Sequence, residues 1–278
     1  MIFKEGFFGK KQYAAKAATM FKRNPITDLC LEAYNKAKEL IDINNFTDLM
    51  VLINACAYRS WFYGVFAYKE DREDTMWKWA VWDMDRAFTE YYHNEFSRYK
   101  DLRSYPHSII INKLLQNPGY KEFFIDRSID LLNSVFSPQN VLPLLDSLKN
   151  EIRPEVGRDV TRWSGTHTKW ERNISTVEMF IKNRPDVVRR QMQEYFKLEP
   201  TVKLVIEAGN GFGKIQVNSI EITEFPWEGI FFMNRKITIK ALPDPGYIFK
   251  SWGNGESHSE ISIKPAAGMN ISAEFIRE

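Results

Sequence analysis

The first two hundred residues carry apolar positions at helical spacing. Between residues 26 and 40, Leu29, Leu31, Ala33, Ala37 and Leu40 recur with Lys and Glu between them, close to the period of an amphipathic helix. Asn45 or Thr47 can cap a second helix that runs through Leu49, Met50, Leu52, Ile53 and Ala57. Residues 108–116 are apolar nearly all round, which predicts a buried helix, and Asn117-Pro118-Gly119 ends it. Residues 120–135 and 140–152 predict two more helices, the second opened by Ser137-Pro138. Residues 170–196 predict a long last helix, interrupted at Arg184-Pro185. Within this helical stretch, VFAY at 65–68 and MWKWAVW at 76–82 are aromatic-rich and partly alternating. The charged loop KEDRED lies between them, so the pair predicts a β-hairpin.

After Glu199-Pro200 the period drops to two. Short alternating runs (VKLVIEA, GKIQVNSIEIT, GIFFMN, KITIKAL, SEISIKP, NISAEFI) are separated by Gly209-Asn210-Gly211, Asp244-Pro245-Gly246 and Gly253-Asn254-Gly255. Strands with regular turn signals describe a small all-β domain. The expected fold class is therefore α+β in two domains. A mostly helical domain with one short hairpin occupies 1–198, and a small all-β domain occupies 201–278.

Composition narrows the function classes. The chain has 278 residues, 44% hydrophobic and 27% charged, too apolar for a disordered chain. Aromatics reach 14%, enough for large buried cores or ligand-contacting surfaces. The net charge of +2 gives no broad electrostatic footprint for nucleic acid. No apolar stretch approaches the ~18 residues of a membrane span, and the N-terminus lacks the continuous apolar core of a signal peptide. Cys30 and Cys56 sit among apolar residues without a CxxC pair, which predicts two buried thiols rather than a zinc site.

The sharpest chemical feature is Trp82-Asp83-Met84-Asp85, at the end of the second β run. Two carboxylates two residues apart at a strand end can converge on one hard cation such as Mg²⁺ or Ca²⁺. The same pattern also fits a turn in which one carboxylate caps a helix and the other is solvated. The flanking Trp79, Val81, Trp82 and Phe88 predict burial, which favours the cation because buried carboxylates need partners. His93, His107, His167 and His258 show no ligand spacing, and each reads as exposed or hydrogen-bonded. There is no GxSxG, and GNGFG at 209–213 opens no helix, so it reads as a hairpin turn rather than a phosphate cradle. Lys10-Lys11 and Lys22-Arg23 read as solvated faces. The rings of Trp227, Phe231, Phe232, Tyr247, Phe249 and Trp252 serve either as the core of the β domain or as a carbohydrate- or protein-binding face.

Residues 46–196 resemble the CotH family, spore-coat-protein-H-like kinases on an atypical branch of the protein-kinase-like fold. The matching pieces, in order, are FTDLMVLINACAYRSWFYGVFAYK, MWKWAVWDMDRAF, SIIINKLLQNPGYKEFFIDRSIDLL, RDVTRWSG with KWERNI, and VEMFIKNRPDVVRRQMQEYF. The resemblance implies transfer of a phosphoryl group from ATP to protein side chains, with Mg²⁺ as cofactor. It implies that Asp83, with Asp85 beside it, holds the metal–nucleotide. In that chemistry the protein supplies positioning and charge neutralisation. Family members commonly carry N-x-D-W-P-x-N-N after the preceding helix, where the Asp is the catalytic base and an Asn helps hold metal. This chain has Tyr58-Arg59-Ser60-Trp61-Phe62-Tyr63-Gly64-Val65 instead. Trp61 is kept, Ser60 stands at the base position, and neither Asn is present. A serine hydroxyl does not accept a proton at neutral pH as a carboxylate does, and general-base help is worth ~10²–10⁴-fold. Only 45 residues precede Phe46, and they read helical, so the β-rich lobe with the nucleotide-gripping lysine is expected to be absent. The expectation is a degenerate, C-lobe-like kinase domain acting on, or bound to, a protein partner.

Residues 201–278 resemble the internalin-B-type, or Listeria–Bacteroides, repeat. The features are G-x-G-K-I-x-V-N, then I-T-I-K-A-x-P-D-P-G-Y-x-F-x-S-W-G, then I-S-I and N-I-S-A-E-F. That resemblance implies a β-grasp-like spacer or adhesion module on an extracellular or cell-surface protein, with no enzymatic residue of its own.

Overall fold

In the computed structural model the described residues are 28–72, 74–100, 106–208 and 212–278, with the side chains of 28–31 not described. Lys10-Lys11, Lys22-Arg23, Gly209-Asn210-Gly211 and the side chain of Cys30 therefore lie outside the described residues. The chain is α+β. Helix α1 (Asp28–Leu40) leads into α2 (Ile43–Ala55) and a hairpin of β1 (Val65–Tyr68) and β2 (Lys78–Val81). A short 3₁₀ helix (Glu95–Lys100) precedes α3 (Pro106–Leu114), α4 (Pro118–Asn133), α5 (Pro138–Ile152), α6 (Val156–Arg162) and α7 (His167–Phe196). Strands β3 (Thr201–Ala208), β4 (Gly213–Val217), β5 (Ile220–Ile222), β6 (Trp227–Phe232), β7 (Ile237–Pro243), β8 (Tyr247–Trp252), β9 (Glu260–Ile263) and β10 (Asn270–Arg277) follow.

The chain divides into two compact units, Met1–Ser128 with Ser137–Val188, and Ile129–Phe136 with Arg189–Glu278. In the first, α2 is the central element. Phe46, Met50 and Ile53 are fully buried on it, the spacing of one helix face. Its cap is Asp42, whose carboxylate accepts from the Asn45 amide at 3.0 Å. Asn45 and Thr47, the caps expected from the sequence, have other partners. The Asn45 side chain bonds both ways to Trp79 of β2, accepting from its N–H at 2.6 Å and donating to its carbonyl at 3.2 Å. Thr47 bonds the buried hydroxyl of Tyr120 at 3.0 Å. The hairpin is antiparallel, with Val65 opposite Val81 and Tyr68 opposite Lys78. It stays joined to the helices through Trp77, whose N–H and carbonyl bond Leu40 and Asp42.

Helix α7 continues through Pro185, where the sequence predicted an interruption. Proline removes one backbone bond, and Arg184 beside it makes several in exchange. Its guanidinium, 2% exposed, donates to the carbonyls of Asn54, Tyr91 and His93.

In the second unit, two four-stranded sheets run in the orders β6-β3-β10-β8 and β5-β4-β7-β9. β10 pairs β3 in parallel, and the remaining pairs are antiparallel. The sheets meet where Gly213 lies against Phe275, so closely that a Cβ there would sit 2.6 Å from the ring. Residues 129–136 of the helical stretch belong with these strands. Asp130, 2% exposed, accepts from the Ser219 amide at 3.0 Å, the Ser219 hydroxyl at 2.6 Å and the Asn218 amide group at 3.2 Å. Asn133 bonds both backbone groups of Ile230. Phe231, Phe232 and Trp252 are buried, while Trp227, Tyr247 and Phe249 are half-buried, so these rings fill the interior more than they form an open platform.

Candidate functional site

The candidate site lies where the chain leaves α2 and where it leaves β2. Ala57 takes a left-handed φ of 47° and turns the chain out of the helix. Residues 58–64 then fold into turns, with Tyr63 and Gly64 both donating to the Ser60 carbonyl at 2.9 and 3.0 Å. Gly64 in turn accepts from the Trp82 amide at 2.6 Å, so the turn containing Ser60 abuts the segment containing Asp83. The Tyr58 hydroxyl completes the link. It sits 2.7 Å from the Trp82 carbonyl and 3.1 Å from that of Asp83. Burial first, then the charges of Asp83 and Asp85, push the Tyr58 phenol above its ordinary pKa, so it stays a donor at neutral pH.

Asp83 has a φ of 57°, a conformation that Asp tolerates better than most residues. Asp83 and Asp85 are both exposed, and Trp82 is 70% exposed. The burial expected from the flanking aromatics is therefore not found. Trp79 and Ala87 are buried, but Trp82 lies one residue past the strand, where alternation no longer assigns it to a face. Among the described residues no other carboxylate, histidine or cysteine joins the aspartates in a three-ligand group. Mg²⁺ bound through one or two carboxylates and substrate phosphates needs no more than that from the protein. Asp83 and Asp85 carry carboxylate oxygens, the ligand type that such an ion takes.

Behind the turn lies a buried ionic network without a signal in the sequence. Trp61 is fully buried, and its indole donates to Glu95 at 2.9 Å. Glu95 is itself wholly inaccessible. His93 Nε2 lies 3.1 Å from its other oxygen and Arg98 Nε lies 3.8 Å away. Burial raises the Glu95 pKa against the pull of Arg98 and the Trp61 bond. Burial, helped by Arg59, Arg98 and Arg184, lowers that of His93. Both shifts favour the neutral form of each group. The chain HNEFSRY reads as a polar surface loop. The nearest hint was Arg184-Pro185 inside the last helix.

The other chemistry-bearing residues stand apart from this site. Cys56 is buried, and burial raises its thiol pKa to about 12, so it is inert. His107 is buried at the start of α3, His167 begins α7 and His258 is exposed. A family model described as CotH kinase protein matches residues 26–188, more than half of the chain. The chain belongs to the CotH kinase family. The matched span holds Ser60, Trp61, Asp83, Asp85, Glu95 and Arg184 together with the β1–β2 hairpin, and strands β3 to β10 lie beyond it. No curated protein and no solved structure matches the chain. No helix among the described residues is long and apolar enough to cross a membrane.

Proposed function

We propose that this CotH protein presents Asp83 and Asp85 to Mg²⁺ and ATP and transfers phosphate slowly or not at all. The observation that carries the reading is the aspartate pair itself, exposed at the end of β2 and held from behind by the Tyr58 hydroxyl and Gly64. When bound, Mg²⁺ neutralises phosphate charge and orients the triphosphate. Asp83 and Asp85 would hold it through their carboxylate oxygens. Ser60 stands at the position of the family's base, and its hydroxyl cannot take up an acceptor's proton at neutral pH. The chain therefore keeps the means to bind and lacks the group that would activate a protein side chain.

A thermal melt with Mg²⁺ and ATP tests the binding. Ligand at about 100 times Kd stabilises by about 2.7 kcal/mol. Wild type is expected to shift upward and Asp83→Ala to stay put. No shift in wild type, or an equal shift in Asp83→Ala, overturns the reading. A parallel assay of phosphate transfer to protein checks the second half, since fast transfer lost in Asp83→Ala contradicts the degenerate role.

The second reading is a non-catalytic interaction protein, favoured by Tyr63 at 84% and Trp82 at 70% exposed beside the aspartates. Carbohydrate binding by the β module has less support, because Trp252 is buried and Tyr247 is stacked on Phe212 with centroids 4.2 Å apart. Within the same proposal, residues 1–198 are the kinase-like domain and 201–278 an internalin-B-type, β-grasp-like module. That pairing supports an extracellular or cell-surface place and a protein partner.

A further inference from the structure

We infer that Glu95 and Arg98 are positioning residues that clamp the Ser60 turn from both sides. The turn follows the end of α2, and outside its own short-range bonds it has little regular structure to fix it. The 3₁₀ helix Glu95–Lys100 supplies what is missing. Arg98 donates to the Arg59 carbonyl at 2.6 Å, on the N-terminal side of Ser60. Its guanidinium also lies 4.9 Å over the Phe62 ring, on the C-terminal side. Glu95, one 3₁₀ turn earlier and 3.8 Å from Arg98, accepts the indole proton of Trp61. Residues 59, 61 and 62 are thus held by two side chains spaced i, i+3, and Ser60 lies between them.

A wholly buried carboxylate is a poor choice for stability alone, since an apolar side chain of similar volume avoids the desolvation cost. Its value here is directional. The indole bond and the Arg98 contact fix the turn in one geometry. That geometry passes on through Ser60 and Gly64 to the Trp82 amide, and so to Asp83. The effect on metal–nucleotide binding rests on the function proposed above, whereas the clamp itself does not.

Hydrogen exchange on the full chain, followed by mass spectrometry, separates the two. The amides of Tyr63 and Gly64 report the turn, and peptides from Pro118–Asn133 report the rest of the fold. In Arg98→Ala the 59–65 peptide is expected to exchange at least about tenfold faster, from loss of one charged hydrogen bond and one cation–π contact. The α4 peptides are expected to keep their wild-type rates. Arg98→Lys keeps a cationic donor and is expected to restore most of the protection. Glu95→Gln, which keeps an acceptor for Trp61 but not the charge, is expected to fall between. These milder variants carry the test if Arg98→Ala does not fold. Unchanged exchange at 59–65, or equal acceleration everywhere, overturns the clamp. In the melt, Arg98→Ala is expected to need about tenfold more Mg²⁺–ATP for the same shift. A wild type that binds no Mg²⁺–ATP defeats the functional reading, while local acceleration in the same protein still supports the clamp.

Discussion

Replacing Gly64 by alanine probes the link between the Ser60 turn and Asp83 directly. A Cβ at residue 64 would sit 1.5 Å from the Tyr58 hydroxyl, 2.7 Å from its Cζ and 2.4 Å from the Trp82 carbonyl oxygen. No real Cβ approaches that closely, so Tyr58 must swing away and the backbone must shift. The Tyr58 hydroxyl then loses its bonds to the Trp82 and Asp83 carbonyls. Overpacking of this kind costs about 1–3 kcal/mol, and an unsatisfied buried polar group adds about 1–3 kcal/mol. The total expected for Gly64→Ala is about 2–6 kcal/mol. Tyr58→Phe removes the nearest clashing atom along with the hydrogen bonds. The loss in the double variant is therefore expected to fall short of the sum of the single losses by about 1 kcal/mol or more. The clash with the Trp82 oxygen remains, so the coupling is partial. Urea denaturation of the four proteins measures it. Additivity within about 0.5 kcal/mol would refute the claim that Gly64 is small to make room for the Tyr58 hydroxyl.

Two other outcomes follow from buried charge. Arg184→Leu leaves the carbonyls of Asn54, Tyr91 and His93 without their donor, so a loss of about 3–5 kcal/mol is expected in chemical denaturation. A loss below about 1 kcal/mol would show that water replaces the guanidinium. Burial lowers the His107 pKa to about 4, against an ordinary value near 6.5. Because the folded value is the lower one, its contribution is complete above about pH 6.5 and is lost as pH falls toward 4. At about 1.36 kcal/mol per pH unit, roughly 3 kcal/mol is at stake. His107→Gln is expected to flatten the stability profile in that window, and an unchanged slope would assign acid sensitivity elsewhere.

Parts of this architecture can be read without coordinates because they depend on neighbours in sequence. The hairpin is an example. VFAY forms β1 over the expected residues, since alternation of Val65, Phe66, Ala67 and Tyr68 is a local property. The turns at Asp244-Pro245-Gly246 and Gly253-Asn254-Gly255 are another, with Gly246 and Gly255 at φ of 82° and 87°. Asn45 shows the limit. Its position suits a helix cap, yet its side chain is used by a strand 34 residues away. Trp82 shows another, because one ring just beyond a strand carries no alternation to say which way it faces. Glu95 is the clearest case. In a polar run its charge signals solvent, and it is buried only because Trp61, His93 and Arg98 converge on it.

The sequence by itself determined the mainly helical first part with its hairpin, the change of period near residue 200 and the D-x-D pair. Each is written in residue type and spacing along one stretch of chain. Tertiary structure decided that Asp83 and Asp85 face solvent and that Tyr58 and Gly64 tie them to the Ser60 turn. It also decided that residues 129–136 pack with the strands and that a buried carboxylate stands behind Trp61. These depend on which distant groups meet. Burial and hydrogen-bond partners are properties of that meeting, and no periodicity along the chain encodes them.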